Sequence, residues 1–528
     1  MITPDYAAIL PLFVMTGVGA LLPLIGAFRA RPGLLAGIAL VGVLASGVLT
    51  VGMVTGLPGL SFLPRVGPSL PAVPSFSVLE MTPFVVLFDL VFLAVAAMVV
   101  LASPRYISSR HQGEYYSLVL LSTVGMMVVA ASTDLITLFV GLELSSFCTY
   151  ALAGFFKRRL DSSEAAMKYF LIGSISSSLA IFGISMVYAL THSTSFSALA
   201  SLWGNLLSVR DASGVAHTTT IGQQLLQGKF VLGAFAWGLL LAGFGYKIAL
   251  VPFHNYAVDV YEGAPDTVSG FVAAGGKQMG FAALFKVFLL GLFAVKANWD
   301  IMVGVIAIAT MIVGNVAALQ QTNIKRMLAY SSIAQAGYIL MALAIGTEYA
   351  LSGGLFHIVT YAFMKAGAFL ALAAVATWGV GEELSDWRGM GRKAPFVALC
   401  MTLFMLSFAG IPPLAGFASK FVLFSSAISA ATATGTSGVY VTLYLALAIV
   451  GILTSAISLV YYWRVIRVMY IEEGEGRRMQ VAPSAAIAVF VAAAGTVLLG
   501  LFPAVAYNLA ADAAHHIFGS LGPALASP

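Results

Sequence analysis

Six lysines lie within or at the ends of apolar runs: Lys168, Lys247, Lys277, Lys286, Lys365 and Lys420. A lysine at the centre of a membrane-crossing helix costs about 2.5–3.5 kcal/mol on insertion scales, so six of them point to work that needs them. All six are Lys and none is Arg. A guanidinium stays protonated under nearly all conditions, whereas a desolvated ammonium can lose its proton near neutral pH, so the choice of residue favours proton exchange over fixed charge. One carboxylate belongs with them: Glu143, in Phe139-Val140-Gly141-Leu142-Glu143-Leu144-Ser145-Ser146, about ten residues or roughly 15 Å into its run. A buried Glu needs a partner or stays neutral.

The six are not equivalent. Lys286 and Lys168 stand near the ends of their runs, where a long side chain could snorkel to the surface. Lys247, Lys277 and Lys420 are mid-run and have no such exit, which leaves proton exchange or a structural ion pair. Glu80 and Asp89 sit towards one end of another run and read as interfacial. Cys148 and Cys400 both fall in apolar runs and are too few and too far apart in sequence for a zinc or iron–sulfur motif.

The elements that carry these residues follow from composition. Of 528 residues, 60% are hydrophobic and only 9% charged, against about 25% charged in a soluble domain, so a water-soluble globule is excluded. The net charge of +5 resides in short loops and does not point to nucleic acid. The N-terminal segment lacks a basic stretch, so the first apolar run reads as a retained helix.

Apolar runs predict an all-α polytopic membrane protein of about 14 spans, starting near 6, 33, 83, 115, 134, 166, 229, 268, 299, 327, 351, 394, 437 and 482. Connections after odd-numbered spans hold sixteen Lys and Arg, among them Arg29, Arg31, Arg110, Lys325, Arg326 and Arg477, and those after even-numbered spans hold four. That asymmetry predicts odd connections in the cytoplasm and both termini outside. One connection, after the seventh span, breaks the pattern with Asp259, Glu262 and Asp266 and no base.

Two spans carry a proline break beside a lysine: the seventh, with Lys247 five residues before Pro252, and the twelfth, with Pro412-Pro413 before Lys420. Proline removes a backbone donor, and the freed groups survive at membrane depth only in a protein-lined or hydrated cavity. Spans 4–8 and 9–13 each hold five helices, so the second unit enters the membrane from the opposite side. The expectation is an inverted repeat, with helices 7 and 12 discontinuous. The divisions are 1–112 for three N-terminal helices, 113–298 and 299–470 for the two repeats, and 471–528 for helix 14.

Four strings in order carry a family resemblance: Glu164-Ala165-Ala166-Met167-Lys168-Tyr169-Phe170; Val251-Pro252-Phe253-His254 followed by Asp259-Val260-Tyr261-Glu262-Gly263-Ala264-Pro265; Asn323-Ile324-Lys325-Arg326-Met327-Leu328-Ala329-Tyr330-Ser331-Ser332-Ile333-Ala334; and Phe408-Ala409-Gly410-Ile411-Pro412-Pro413. Over residues 115–470 the chain resembles the antiporter-like subunits N of respiratory complex I and their archaeal and photosynthetic relatives. The resemblance implies proton-translocation roles for Glu143, Lys168, Lys247, Lys277 and Lys420 on a central hydrophilic axis. It gives supporting roles to His254, and to His357 and Lys365, which connect the axis to a second half channel. The stretch Ala273–Phe281 is similar to archaeal members, whose complexes oxidise a reduced deazaflavin or another donor in place of NADH. Two departures stand out: Val258 where the family commonly has Pro, so that this loop should pack differently, and Gln335 where His is common, which weakens a relay role there.

The resemblance implies a proton-translocating, non-redox subunit of a quinone or methanophenazine oxidoreductase in the cytoplasmic (inner) membrane. No cofactor or metal is expected in this chain; iron–sulfur clusters, flavin and quinone belong to partner subunits. Those partners would be another antiporter-like subunit, a small membrane subunit and a peripheral redox arm. The competing readings are a subunit of a multisubunit sodium/proton antiporter and the membrane arm of a hydrogenase.

Overall fold

The computed structural model describes residues 6–28, 32–107, 111–200, 208–210, 216–218, 229–474 and 478–521. Arg29, Arg31, Arg110 and Arg477 of the loop charges lie outside the described residues. The chain is nearly all helix. After a short turn Tyr6–Ile9 come α1 (Leu10–Phe28), α2 (Pro32–Thr55), α3 (Pro83–Tyr106), α4 (Gln112–Ala131), α5 (Leu135–Ala153) and α6 (Leu160–Thr191). They are followed by α7 (Lys229–Lys247), α8 (Asn255–Gly263), α9 (Asp266–Phe271), α10 (Lys277–Phe285), α11 (Lys296–Leu319), α12 (Ile324–Ile345) and α13 (Glu348–Ala376). The last are α14 (Pro395–Ala409), α15 (Ala415–Thr432), α16 (Gly438–Tyr470), α17 (Pro483–Leu501) and α18 (Pro503–Ser520). The described strands form two small antiparallel hairpins, Val73–Ser75 with Leu79–Met81 and Ser208–Arg210 with Ala216–Thr218.

Twelve helices among the described residues are long and apolar enough to cross a membrane. Helix starts are fixed by polar caps that accept the free N–H groups of the first turn. Asp134 takes those of Ile136 and Thr137 at α5, Asn323 that of Arg326 at α12, and Thr347 that of Ala350 at α13.

The two proline breaks are present. The seventh segment is interrupted between Lys247 and Asn255, around Pro252, and the twelfth between Ala409 and Ala415, around Pro412 and Pro413. The stretch after Pro252 was expected to be a loop, and there the structure differs: Asn255–Gly263 is α8, the second half of the seventh segment. With Val258 in place of proline, each residue of that stretch keeps the backbone donor a helix needs. The eighth segment is irregular in a way the apolar pattern did not signal. Its helix widens into π-helical turns at Val272–Gly276, just before Lys277, and at Lys286–Gly291.

The C-terminal region, expected as one helix, is two. Phe502 ends α17 and Pro503 begins α18, and together they run antiparallel to α13. Contacts along the pair include Trp378 Nε1 to Gln480 O, the rings of Phe356 and Tyr507, and Glu348 with His515. The centre of the molecule is formed by α3, α12 and α13, which are almost wholly buried. α4 packs along α5 as α11 packs along α12, and in each pair a glycine on either helix permits backbone contact, Gly125 and Gly141 in the first and Gly314 and Gly337 in the second. A Cβ on Gly125 would lie 2.6 Å from Ser145 N, and one on Gly314 would lie 2.5 Å from Ala334 N.

Candidate functional site

The two helix breaks bracket a line of buried lysines. Lys247 is the last residue of α7 and is 8% exposed; its Nζ donates to Ser146 Oγ (2.7 Å) and Tyr150 OH (3.0 Å), both on α5. Tyr246 and Tyr256 stack at 3.9 Å across the break, and Tyr169 stacks on Tyr256, walling Lys247 with aromatic rings. Lys277 opens α10, is 1% exposed, and donates to Ser332 O (2.9 Å) on α12. Lys365 on α13 is fully buried; it donates to Leu328 O (2.7 Å) and Ser331 Oγ (3.1 Å) and lies 4.7 Å over the Phe408 ring. Lys420, in α15 just past the second break, is 3% exposed and donates to Phe408 O (2.6 Å) and Ser455 Oγ (2.9 Å).

Hydroxyls and one imidazole fill the intervals. Ser332 bonds Tyr361 (2.7 Å) and Ser331 bonds Tyr462 (2.5 Å), so two neighbouring serines on α12 serve the lysines, Ser332 through its carbonyl to Lys277 and Ser331 through its hydroxyl to Lys365. His357 bridges Gln335 Oε1 through Nε2 and Ser419 Oγ through Nδ1, each at 2.9 Å. Because Gln335 presents an acceptor, Nε2 carries the proton in the neutral ring and Nδ1 is free to accept. Gln335, discounted in the sequence for not being His, is therefore a direct partner of His357. Ser419 adjoins Lys420 in sequence, and Lys277 and Lys365 lie within electrostatic reach of each other.

No carboxylate within ion-pair distance neutralises Lys247, Lys277, Lys365 or Lys420 among the described residues. Their bonding partners are neutral oxygens, which can hold either an ammonium or an amine. A structural ion pair needs a buried counter-charge, and here none is in contact, so the arrangement fits exchangeable protons better.

Glu143 departs from the others. It is half-buried on α5, and Val140, Leu144 and Phe147 around it are exposed, so it reaches the lateral edge of the chain. Its Oε1 accepts from Ser177 Oγ at 2.5 Å. It lies within electrostatic reach of Lys247 without contacting it, and Ser146, three residues further along the helix, supplies that contact. Lys168 is neither buried nor on the line. Its side chain is 41% exposed and paired with Asp259 (2.7 Å) and Glu164 (2.8 Å). His254 stands in the first break with a buried Nδ1 that has no partner and lies within reach of Lys277.

The connection that held acids without bases is now explained. Asp259 and Glu262 pair with Lys168 and Arg326, and Asp266 with Lys325, so bases from other segments neutralise them. Lys325 was counted as an ordinary loop charge, yet its side chain is 1% exposed and held by Asp266 (3.0 Å), Glu382 (3.1 Å) and Ala264 O (2.9 Å). Asp89, expected towards the interface, is fully buried against other helices of the chain.

Gly280 sets the approach of α10 to Lys247. A Cβ there would lie 2.5 Å from Ile248 Cγ2 and 3.3 Å from Lys247 Cβ. Gly280→Ala is expected to cost about 1–3 kcal/mol by overpacking. A lowered thermal unfolding temperature of the solubilised protein would show it, and an unchanged one would mean that the break moves freely.

Residues 132–446 match the family model described as NADH:quinone oxidoreductase/Mrp antiporter, TM. F(420)H(2) dehydrogenase subunit N of Methanosarcina mazei is 47% identical over 441 residues, covering 81% of this chain and 82% of that protein. NADH-quinone oxidoreductase subunit N of Trichlorobacter lovleyi is 40% identical over 97% of both. Among solved structures, a chain of respiratory complex I from Thermus thermophilus with bound aureothin superposes with a TM-score of 0.73 at 29% identity, covering 95% of this chain and all of that one. Fold and sequence agree, and the chain belongs to the antiporter-like membrane subunit family shared by complex I and F(420)H(2) dehydrogenase.

Proposed function

We propose that this chain is a proton-translocating, non-redox membrane subunit of a redox-driven quinone or methanophenazine oxidoreductase. The observation that carries the reading is the line of Lys247, Lys277, Lys365 and Lys420, each buried and each held by neutral oxygens between two broken helices. Glu143, Lys247, Lys277 and Lys420 carry protons along it, with His254, His357 and Lys365 supporting. Lys168 acts from the rim, through its salt bridges to Asp259 and Glu164. The segments 113–298 and 299–470 are two inverted units, each supplying one broken helix, within fourteen spans. The asymmetry of loop charge supports an orientation with both termini on the outer side of the cytoplasmic membrane.

Glu143 on the lateral edge is placed to sense the charge of a neighbouring membrane subunit, and the redox chemistry belongs to other chains. Flavin, iron–sulfur clusters and quinone are assigned to those partners. Purification of the native complex through this chain tests the assignment. The expected partners include iron–sulfur proteins, a quinone-reactive subunit and a second antiporter-like subunit. Recovery with only small antiporter subunits would favour the sodium/proton antiporter reading.

A further inference from the structure

A second group of ionisable side chains lies away from the lysine line. Lys286 is nine residues beyond Lys277, about 14 Å along the helix. Its side chain is 1% exposed, and its Nζ donates to Ser132 O (2.6 Å) and Glu80 Oε1 (3.2 Å). Asp89 on α3 is fully buried, lies within electrostatic reach of Lys286, and has no hydrogen-bond partner on either carboxylate oxygen. Gln278, next to Lys277, is also fully buried with both amide atoms unpartnered. Buried polar atoms in that condition are where a proton or a water is accommodated at least cost.

Beside this group is a cleft of about 760 Å³, lined in part by Glu80, Thr82, Thr133, His515 and His516. His516 lies within electrostatic reach of Glu80 and Lys286, and His515 pairs with Glu348 at 3.1 Å. The charged and titratable groups around Lys286 are thus Asp89 from α3, Glu80 from the first hairpin, and His515 and His516 from α18. Asp134, at the head of α5, is engaged in capping that helix.

We propose that Asp89, Lys286, Glu80 and His516 form a proton port connecting the first inverted unit to the outer aqueous phase through this cleft. The Lys286 ammonium gives a proton to the Glu80 carboxylate, leaving an amine and a carboxylic acid. Glu80 passes the proton to His516 or to water in the cleft. The Asp89 carboxylic acid then reloads the Lys286 amine and becomes a carboxylate until it is itself reprotonated from the lysine line. The port rests on the proton-translocation reading above, and the outer side is the one assigned there.

The test uses the whole complex in sealed vesicles, with proton translocation and donor oxidation measured together for Asp89→Asn, Lys286→Gln, Asp89→Glu and, as reference, Glu143→Gln. Asp89→Asn and Lys286→Gln are expected to lower proton translocation by about a hundredfold, the lower end of what one positioned proton-transfer group contributes. Asp89→Glu should restore a large part of it. Wild-type pumping in both of the first two variants, with pumping lost in Glu143→Gln, would overturn the port and leave the lysine line standing. Wild-type pumping in all of them would overturn both. Should the buried variants fail to assemble, Glu80→Gln decides, since Glu80 is partly exposed. Slower pumping with an altered dependence on outer pH supports the port, and an unchanged rate and profile overturns it.

Discussion

Glu143→Gln is expected to lower proton translocation by about a hundredfold or more in a complex that still assembles, and to slow donor oxidation where the two are tightly coupled. Gln keeps the length of the side chain and an Oε1 that can accept from Ser177, so the packing of α5 on α6 survives. What it removes is a charge within reach of Lys247. An ionised Glu143 favours the ammonium form of Lys247, and when that charge is compensated from the neighbouring subunit, the preference weakens and the proton can move on. No helix has to move far. Glu143→Asp keeps the charge on a shorter stem and should retain part of the activity. Pumping and electron transfer measured together in sealed vesicles check both variants, and unimpaired pumping in Glu143→Gln would remove Glu143 from the pathway.

The second large effect is expected at Lys277, where activity and stability should move in different directions. Lys277 is buried with a backbone oxygen, Ser332 O, as its hydrogen-bonding partner. Lys277→Met fills a similar volume with apolar atoms and removes the cost of burying an unpaired ammonium, so the change is expected to be neutral or stabilising. The unmatched Ser332 carbonyl returns part of that gain. Pumping should fall to background while the thermal unfolding temperature of the complex stays level or rises. A fall in both would identify Lys277 as a structural clamp.

Both predictions depend on residues that stood out in the sequence because charge is costly in a membrane. For that reason Lys247, Lys277, Lys365 and Lys420 were legible without coordinates, as were the breaks at Pro252 and Pro412-Pro413, where a backbone donor is missing. Other positions were not. Whether a charge near the end of a run snorkels or turns inward depends on its neighbours across the fold. Lys168 meets Asp259, ninety-one residues away, and Lys286 meets Glu80 from the first hairpin. Asp89 looked interfacial because its distance from the end of its run suggested water, but α3 is covered by α17, α18 and α13. Lys325 lies in a short, charge-rich connection that any loop count assigns to the surface, and only the fold brings Asp266 and Glu382 around it. Gln335 was judged by its residue type, whereas its role comes from an imidazole twenty-two residues on. The π-helical turns around Lys277 and Lys286 had only Gly275-Gly276 as a local signal, which is compatible with an ordinary helix.

The central claim is that these lysines release and regain protons, not that they supply a fixed positive charge. Lys277→Arg separates the two, because a guanidinium keeps the charge and its donors and does not deprotonate. The decisive measurement is the rate of proton translocation per donor oxidised in sealed vesicles carrying the assembled Lys277→Arg complex, with wild type and Lys277→Met alongside. Loss of pumping close to that of Lys277→Met is the predicted result. Pumping at the wild-type rate with Arg at that position would contradict it and reduce the lysine line to a set of fixed charges.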